Sequence, residues 1–349
     1  MNFNPARLAI ARKRRMLTKK AFAEAIGVTQ HTITRWDKGS TEEPSPENIR
    51  AISRALGFPE RFFFGEDVEV PERASFRSQT SMSAASRDAA LAAGAVAYLI
   101  SDWFDARFSF PPNAVPELGE YPPEEAARVL RERWSLGERP ISNIVHLLES
   151  KGVRVFSLAE NTAKVDAYSL WRKGRPHVFL NGLKTAERSR FDAAHELGHL
   201  VLHQDGQEEG RTAEDQANSF ASAFLMPKGD VLAHCVAGMG LADIIRRKVR
   251  WRVSAAALAY RLHKLGLLSD WKYRDICIEL NSRHGKSEPN PIDRERSAVW
   301  DRVLKIMWSE KLTPSRIAAD LGIPEGELRD LLFSIDDIQR DESARLALA

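Results

Sequence analysis

The sequence predicts an α+β fold that is predominantly α, in four successive domains: residues 1–65, 66–120, 121–282 and 283–349. Three observations predict it. Apolar residues recur at helical spacing through most of the chain. Strand-like alternation is confined to short stretches between residues 153 and 180. The pentad His195-Glu196-Leu197-Gly198-His199 follows in an apolar helical run. Together they give a helix-turn-helix at the N-terminus, a small sheet ahead of a metal-binding helix in the centre, and a helical C-terminal domain.

The first element pair is legible from its punctuation. Residues 17–28 read as a helix that stops at Gly27, because glycine accepts the left-handed backbone that ends a helix. Thr29 caps a second helix over residues 30–38, closed by Gly39. Phe22, Ile26, Val28, Ile33 and Trp36 fall at spacings that pack two helices across a tight turn. Residues 1–65 hold 12 Lys and Arg against 6 Asp and Glu, a balance of +6, whereas the rest of the chain sums to −3. A basic excess confined to one unit suits a phosphate backbone, and a bundle used only for protein contacts has no need of it. Residues 5–65 resemble the XRE, or lambda-repressor-like, class of DNA-binding unit. The resemblance implies that the second helix enters the major groove by its first residues. Gln30, His31, Thr34 and Arg35 then face base edges, and Lys19, Lys20 and Lys38 lie near phosphates. Gln and Arg carry forked groups that pair with adenine and guanine. The implied partner is a double-stranded DNA operator, bound by a homodimer as such repressors commonly are on palindromic sites.

Residues 66–84, with Phe76-Arg77-Ser78-Gln79, are rich in Ser and charge and read as a linker. Residues 84–108, with Trp103 and Phe104, have high helix propensity. Five prolines in residues 111–123 mark a boundary. Helices follow over 124–134 and from Ser142 to Gly152, then strand segments over 153–158, 166–170 and 178–180. A small sheet followed by the metal helix fits a zincin-like core.

On a helix, residues four apart share a face, so His195 and His199 can reach one metal ion. Zinc takes such nitrogen ligands, needs a third from elsewhere, and keeps a position for water. Glu196 sits where it can take the proton from that water. A surface helix carrying two histidines by chance is the alternative, and the apolar flanks disfavour it. The extended metzincin pattern fails at Leu202, which stands where Gly is required, and at Asp205, where His is required. The better third ligand is Glu214, one turn ahead of the apolar stripe Ala217, Phe220, Ala221 and Phe224 on a helix that Pro227 ends. Asp215 is its rival. His203 is eight residues from His195, about 12 Å along the axis at 1.5 Å per residue, and reads as a supporting or packing residue.

Residues 141–227 resemble the ImmA/IrrE family of zinc metallopeptidases. The matching pieces are Asp166-Ala167-Tyr168-Ser169-Leu170, His177-Val178-Phe179-Leu180-Asn181, Arg190-Phe191 before the metal helix, and the run from Glu214 through Ala217-Asn218 and Phe220-Ala221 to Leu225-Met226-Pro227. The resemblance implies His195, His199 and Glu214 as zinc ligands and Glu196 as general acid/base. It also implies cleavage of a protein partner, often a DNA-binding repressor. Tyr168 and His177 are expected to be ordinary sheet residues.

After Pro227 the chain reads as mostly helical, over 256–266, 271–281 and 300–308, broken at 283–291. Residues 251–262 have a helix-turn-helix look and are assigned to the rest of the peptidase domain. Residues 312–331 repeat the first unit in register: Leu17 aligns with Leu312, Thr18 with Thr313, Phe22 with Ile317, Gly27 with Gly322 and Ile33 with Leu328. Glu325, Glu327 and Asp330 stand against one Arg329 on its second helix, a face that repels phosphate. This unit is therefore expected to serve protein contact or packing.

Only Cys235 and Cys277 are present, which excludes a disulfide framework and suits a reducing cytoplasm. The N-terminus lacks the continuous apolar stretch of a secretory signal, and no apolar run approaches the roughly 20 residues that span a membrane. Three functions compete: a DNA-bound regulator whose zinc peptidase cleaves a protein partner; a transcription factor whose zincin domain only senses a ligand or metal; and an antitoxin-like protein that grips a toxin through its acidic C-terminal unit. The intact pentad together with Glu214 favours the first.

Overall fold

Asn4 starts the first helix, α1 (Pro5–Arg14), by accepting the N–H groups of Ala6 and Arg7 with its side chain. The computed structural model describes residues 2–39, 43–71, 75–76, 83–158, 167–204, 210–285 and 287–332. Asp166 of the expected strand, linker residues 77–82 and residues 333–349 lie outside them. The chain divides into two units. One comprises Met1–Phe110, Phe156–Asp166 and Ala298–Ala349; the other comprises Pro111–Val155 and Ala167–Ser297. The first unit thus brings C-terminal helices together with N-terminal ones.

In the first unit, α2 (Lys19–Ile26) and α3 (Gln30–Asp37) follow α1. Thr18 caps α2 at the N–H of Ala21, and Thr29 caps α3 at the N–H of Thr32, each satisfying a donor that a helix start leaves open. Gly27, at φ 74°, makes the left-handed turn between them. Phe22, Ile33 and Trp36 are buried where the helices meet, with Leu8 of α1 and Ile52 and Leu56 of α4 (Pro46–Leu56) completing the core. The alanine-rich α5 (Ala84–Asp105) presents small side chains to α1, α15 (Pro314–Leu321) and α16 (Glu325–Leu331). Trp300 on α14 (Ala298–Ser309) packs on Phe104.

The internal repeat keeps the cap of its first helix and the left-handed glycine, while Pro324 stands without a side-chain cap where Thr29 caps α3. Thr313 caps α15 at the N–H of Arg316, and Gly322 turns left-handed at φ 70°. The N–H of Ile323 reaches the carbonyl of Ala318, as that of Val28 reaches Ala23. The acidic face is used differently from a free, phosphate-repelling surface. Glu327 is buried and accepts from Arg14 Nε at 2.7 Å and Arg15 Nη1 at 2.5 Å. The unit packs within its own chain.

In the second unit, α6 (Pro123–Arg133) and α7 (Ile144–Ser150) precede a small sheet. Strand β3 (Ala167–Arg172) pairs antiparallel with β4 (Arg175–Asn181), Tyr168 opposite Phe179 and Leu170 opposite His177. Lys173 and Gly174 both have positive φ, 50° and 72°, as a two-residue hairpin turn with the right twist requires. β2 (Arg154–Leu158) begins in this unit, and β1 is the short pair Ser75–Phe76 of the first. Next come α8 (Ala186–Leu202) and α9 (Arg211–Leu225), which pack on each other, α8 also meeting β3 and β4. Helices α10 (Lys228–His234), α11 (Leu241–Trp251), α12 (Ala255–Lys264) and α13 (Asp270–His284) complete the unit.

Candidate metal centre and nucleic-acid interface

Helix α8 begins at Thr185, whose hydroxyl caps the N–H of Arg188. It is fixed by Arg190, whose buried guanidinium binds the Glu295 carboxylate and the Ile141 carbonyl. Glu295 also accepts the N–H of Ile144 at 2.8 Å, so one carboxylate ties α8 to α7. Five residues beyond Arg190 lies the first histidine of the pentad. His195, Glu196 and His199 are all buried.

His195 Nε2 and His199 Nε2 lie 3.1 Å apart. Glu214, from the first turn of α9, places Oε2 3.3 Å from His195 Nε2 and Oε1 3.4 Å from His199 Nε2. One ligand atom from each of the three can be chosen within 4.8 Å of the others. Donors around a tetrahedral zinc at roughly 2.0–2.1 Å stand about 3.3 Å from one another, so the observed spacings fit such an ion. The donor set also fits its chemistry: two imidazoles and a carboxylate. Burial opposes ionisation of Glu214, but hydrogen bonding and charge from His195 and His199 outweigh it and hold the carboxyl well below the usual range. Asp215, the rival, is exposed and faces Arg211 at 3.9 Å, away from the histidines.

Both imidazoles are aimed from behind, as ligating histidines usually are. His195 Nδ1 meets Asn218 Oδ1 at 3.1 Å, and His199 Nδ1 meets His203 Nδ1 at 3.0 Å. His203 thus supports a ligand position instead of joining the cluster. Its Nε2 lies 2.6 Å from Gln216 Oε1. Ser169 on β3 donates to Glu196 Oε2 at 2.7 Å. Ser169, Asn218 and Gln216 had no role in the sequence reading. The first two sit inside the stretches that carry the family resemblance, so their positions were visible, but their partners depend on how the elements pack. Tyr168 stacks on Phe179 at 4.3 Å, and His177 is buried with Nδ1 3.1 Å from the Arg175 carbonyl. Burial, aided by Arg154, Arg172 and Arg175, presses the His177 pKa down to about 3, against the Arg175 hydrogen bond. His177 is therefore a neutral residue of the sheet.

Gly198 sets the distance between α8 and α9. A Cβ there would stand 3.1 Å from Phe220 Cδ1 and 3.2 Å from Ala217 Cα, a backbone atom of the helix that carries Glu214.

In the first unit, Gln30, His31 and Lys38 are exposed, and Thr34 and Arg35 are half-buried. The Thr34 hydroxyl bonds back to the Gln30 carbonyl at 3.0 Å. Lys19 pairs with Asp37 at 3.0 Å, and Arg12 reaches the same carboxylate at 3.2 Å, so both help to fasten α2 and α1 to α3.

Comparison with known families matches each unit. A helix-turn-helix family model covers residues 8–63, and a peptidase family model described as the IrrE N-terminal-like domain covers residues 148–263. No curated protein matches the chain. The chain carries an XRE-type helix-turn-helix DNA-binding domain fused to an ImmA/IrrE-like peptidase domain, the make-up of a regulator with a peptidase-like domain. The peptidase match runs through α12 and so takes in residues 251–262. No described helix is long and apolar enough to cross a membrane.

Proposed function

We propose that this chain is a DNA-bound transcriptional regulator whose peptidase-like domain is a zinc-dependent endopeptidase acting on a protein partner. The observation that carries it is the convergence of His195, His199 and Glu214 beside the buried Glu196. Bound zinc would supply a Lewis acid and lower the pKa of its water. His195 and His199, held through their Nδ1 atoms, would hold the ion by Nε2, and Glu214 would supply the third ligand atom. Glu196 accepts a proton from the attacking water and returns it to the departing amine. Ser169 keeps one Glu196 oxygen engaged and so fixes the carboxylate's direction.

The partner class, a repressor or toxin-linked protein in a stress or mobile-element response, rests on the family resemblance. Recognition of the operator falls to Gln30, His31, Thr34 and Arg35, with Lys19 and Lys38 beside phosphates and a homodimer reading a palindrome. The two free cysteines suit a reducing, cytoplasmic setting.

Elemental analysis of the chelator-free protein tests the centre. One zinc per chain, lost in both His199→Ala and Glu214→Ala, is expected. Glu196→Gln should keep the metal and abolish cleavage of a partner, and retained cleavage would remove Glu196 from the mechanism. No zinc in the wild type, with DNA binding intact, would leave a regulator built on a silent peptidase fold.

A further inference from the structure

We infer that Gln216, acting through His203, sets the metal-facing tautomer of His199 and is a positioning residue for the centre. This rests on the reading of His195, His199 and Glu214 as metal ligands. A ligating nitrogen must offer its lone pair, so the proton of neutral His199 belongs on Nδ1. That atom lies 3.0 Å from His203 Nδ1, which must then accept. With Nδ1 accepting, neutral His203 carries its proton on Nε2, 2.6 Å from Gln216 Oε1, an atom that can only accept. Each hydrogen bond in the chain therefore runs outward in one direction. Reversing it would place a proton on His199 Nε2, the atom 3.1 Å from His195 Nε2 and 3.4 Å from Glu214 Oε1, where the ion must sit.

The other histidine reaches an amide oxygen in one step, at Asn218 Oδ1. Helix α9 thus does three things for the centre. Glu214 offers a ligand atom, Asn218 orients His195, and Gln216 orients His199 through an intermediary. Gln216 is half-buried, so substitution there does not hollow the core.

The test is the affinity of the full chain for Zn²⁺ and Co²⁺, measured by chelator competition, with the visible absorption of the Co²⁺ form as the signature of ligand geometry. Gln216→Leu removes the acceptor at similar size and should weaken binding about tenfold; His203→Ala should weaken it by about 10- to 100-fold. Gln216→Glu supplies a stronger acceptor and should restore wild-type affinity and the wild-type Co²⁺ spectrum. A residue that merely packs would tolerate Leu at least as well as Glu. Equal affinity in Gln216→Leu and wild type, or failure of Gln216→Glu to restore it, overturns the inference while leaving the metal centre standing. A wild type that takes up neither ion overturns both.

Discussion

Gly198 occupies the one position of the pentad where hydrogen is the only side chain with room. In Gly198→Ala the new methyl meets Ala217 Cα and the Phe220 ring, and a helix backbone yields less readily than a side-chain tip. The expected result is a separation of α8 from α9 by a few tenths of an ångström, carrying Glu214 away from the histidines. Zinc affinity should fall while the helix content by circular dichroism is kept; unchanged affinity would show that α9 does not set the Glu214 position. Asp230 offers a titration test away from the centre. Its carboxylate accepts from Arg250 at 3.0 and 2.6 Å and from Trp251 Nε1 at 2.8 Å. The Arg250 hydrogen bond, opposed by burial and aided by Trp251, lowers its pKa below the ordinary 3.8. A carboxyl lowered on folding adds stability that is fully present above that ordinary value and is lost as pH falls through the folded one. Asp230→Asn should therefore cost about 1.5–3 kcal/mol at pH 7, as lost hydrogen bonds to a charge do. The gap to wild type should close below pH 3.8, as urea unfolding at several pH values would show. The pentad and Glu214 were legible in the sequence because their spacing alone puts them on helix faces. The roles of Ser169 and Gln216 were not, because each depends on how two elements approach.

At the scale of elements, the two helix-turn-helix units share the threonine cap of their first helix but differ in surface. Thr29→Ala and Thr313→Ala each remove a hydroxyl that closes the start of a turn-following or turn-leading helix, and each should cost about 1 kcal/mol. Only the first change should weaken operator binding, because it frays α3, whose opening residues Gln30 and His31 are exposed. Gel-shift titration of both variants separates the cases, and equal losses would assign the second unit to DNA as well. These helices were readable because threonine and glycine act locally: both left-handed stops, Gly27 and Gly322, were placed by sequence and found at φ 74° and 70°. The strands were readable as strands, with ends two to three residues short at β3 and β4. Their order was not, since period-two alternation says nothing of which neighbour a strand takes. Helices α10 and α11 were foreseen only as a generally helical stretch, their apolar spacing being interrupted by charge.

For the whole molecule, the decisive contact is between ends of the sequence. Glu327, placed by sequence on a surface that repels phosphate, is buried against Arg14 and Arg15. Charge counting along one helix could not reveal this, because the compensating arginines are 313 and 312 residues away. Glu327→Ala should be strongly destabilising, by about 3–5 kcal/mol, because Arg14 is left buried without its carboxylate. Pairing Arg14→Met with Glu327→Leu should recover most of that loss. Thermal unfolding of the single and double variants checks both expectations, and an unaffected Glu327→Ala would reduce the pair to a surface contact.

The same separation gives the protein a built-in order of maturation during synthesis. A ribosome adding about 5–20 residues per second needs roughly 15–60 s to travel from Arg14 to Glu327. Within that interval the peptidase-like unit, encoded wholly between them, is completed at Ser297, before α15 and α16 of the first unit are made. Folding of that insert shortens the loop that the first unit must close, and so lowers the entropy of closing it. Until the first turn of α16 emerges, Arg14 and Arg15 of the nascent DNA-binding domain are without the carboxylate that will cover them.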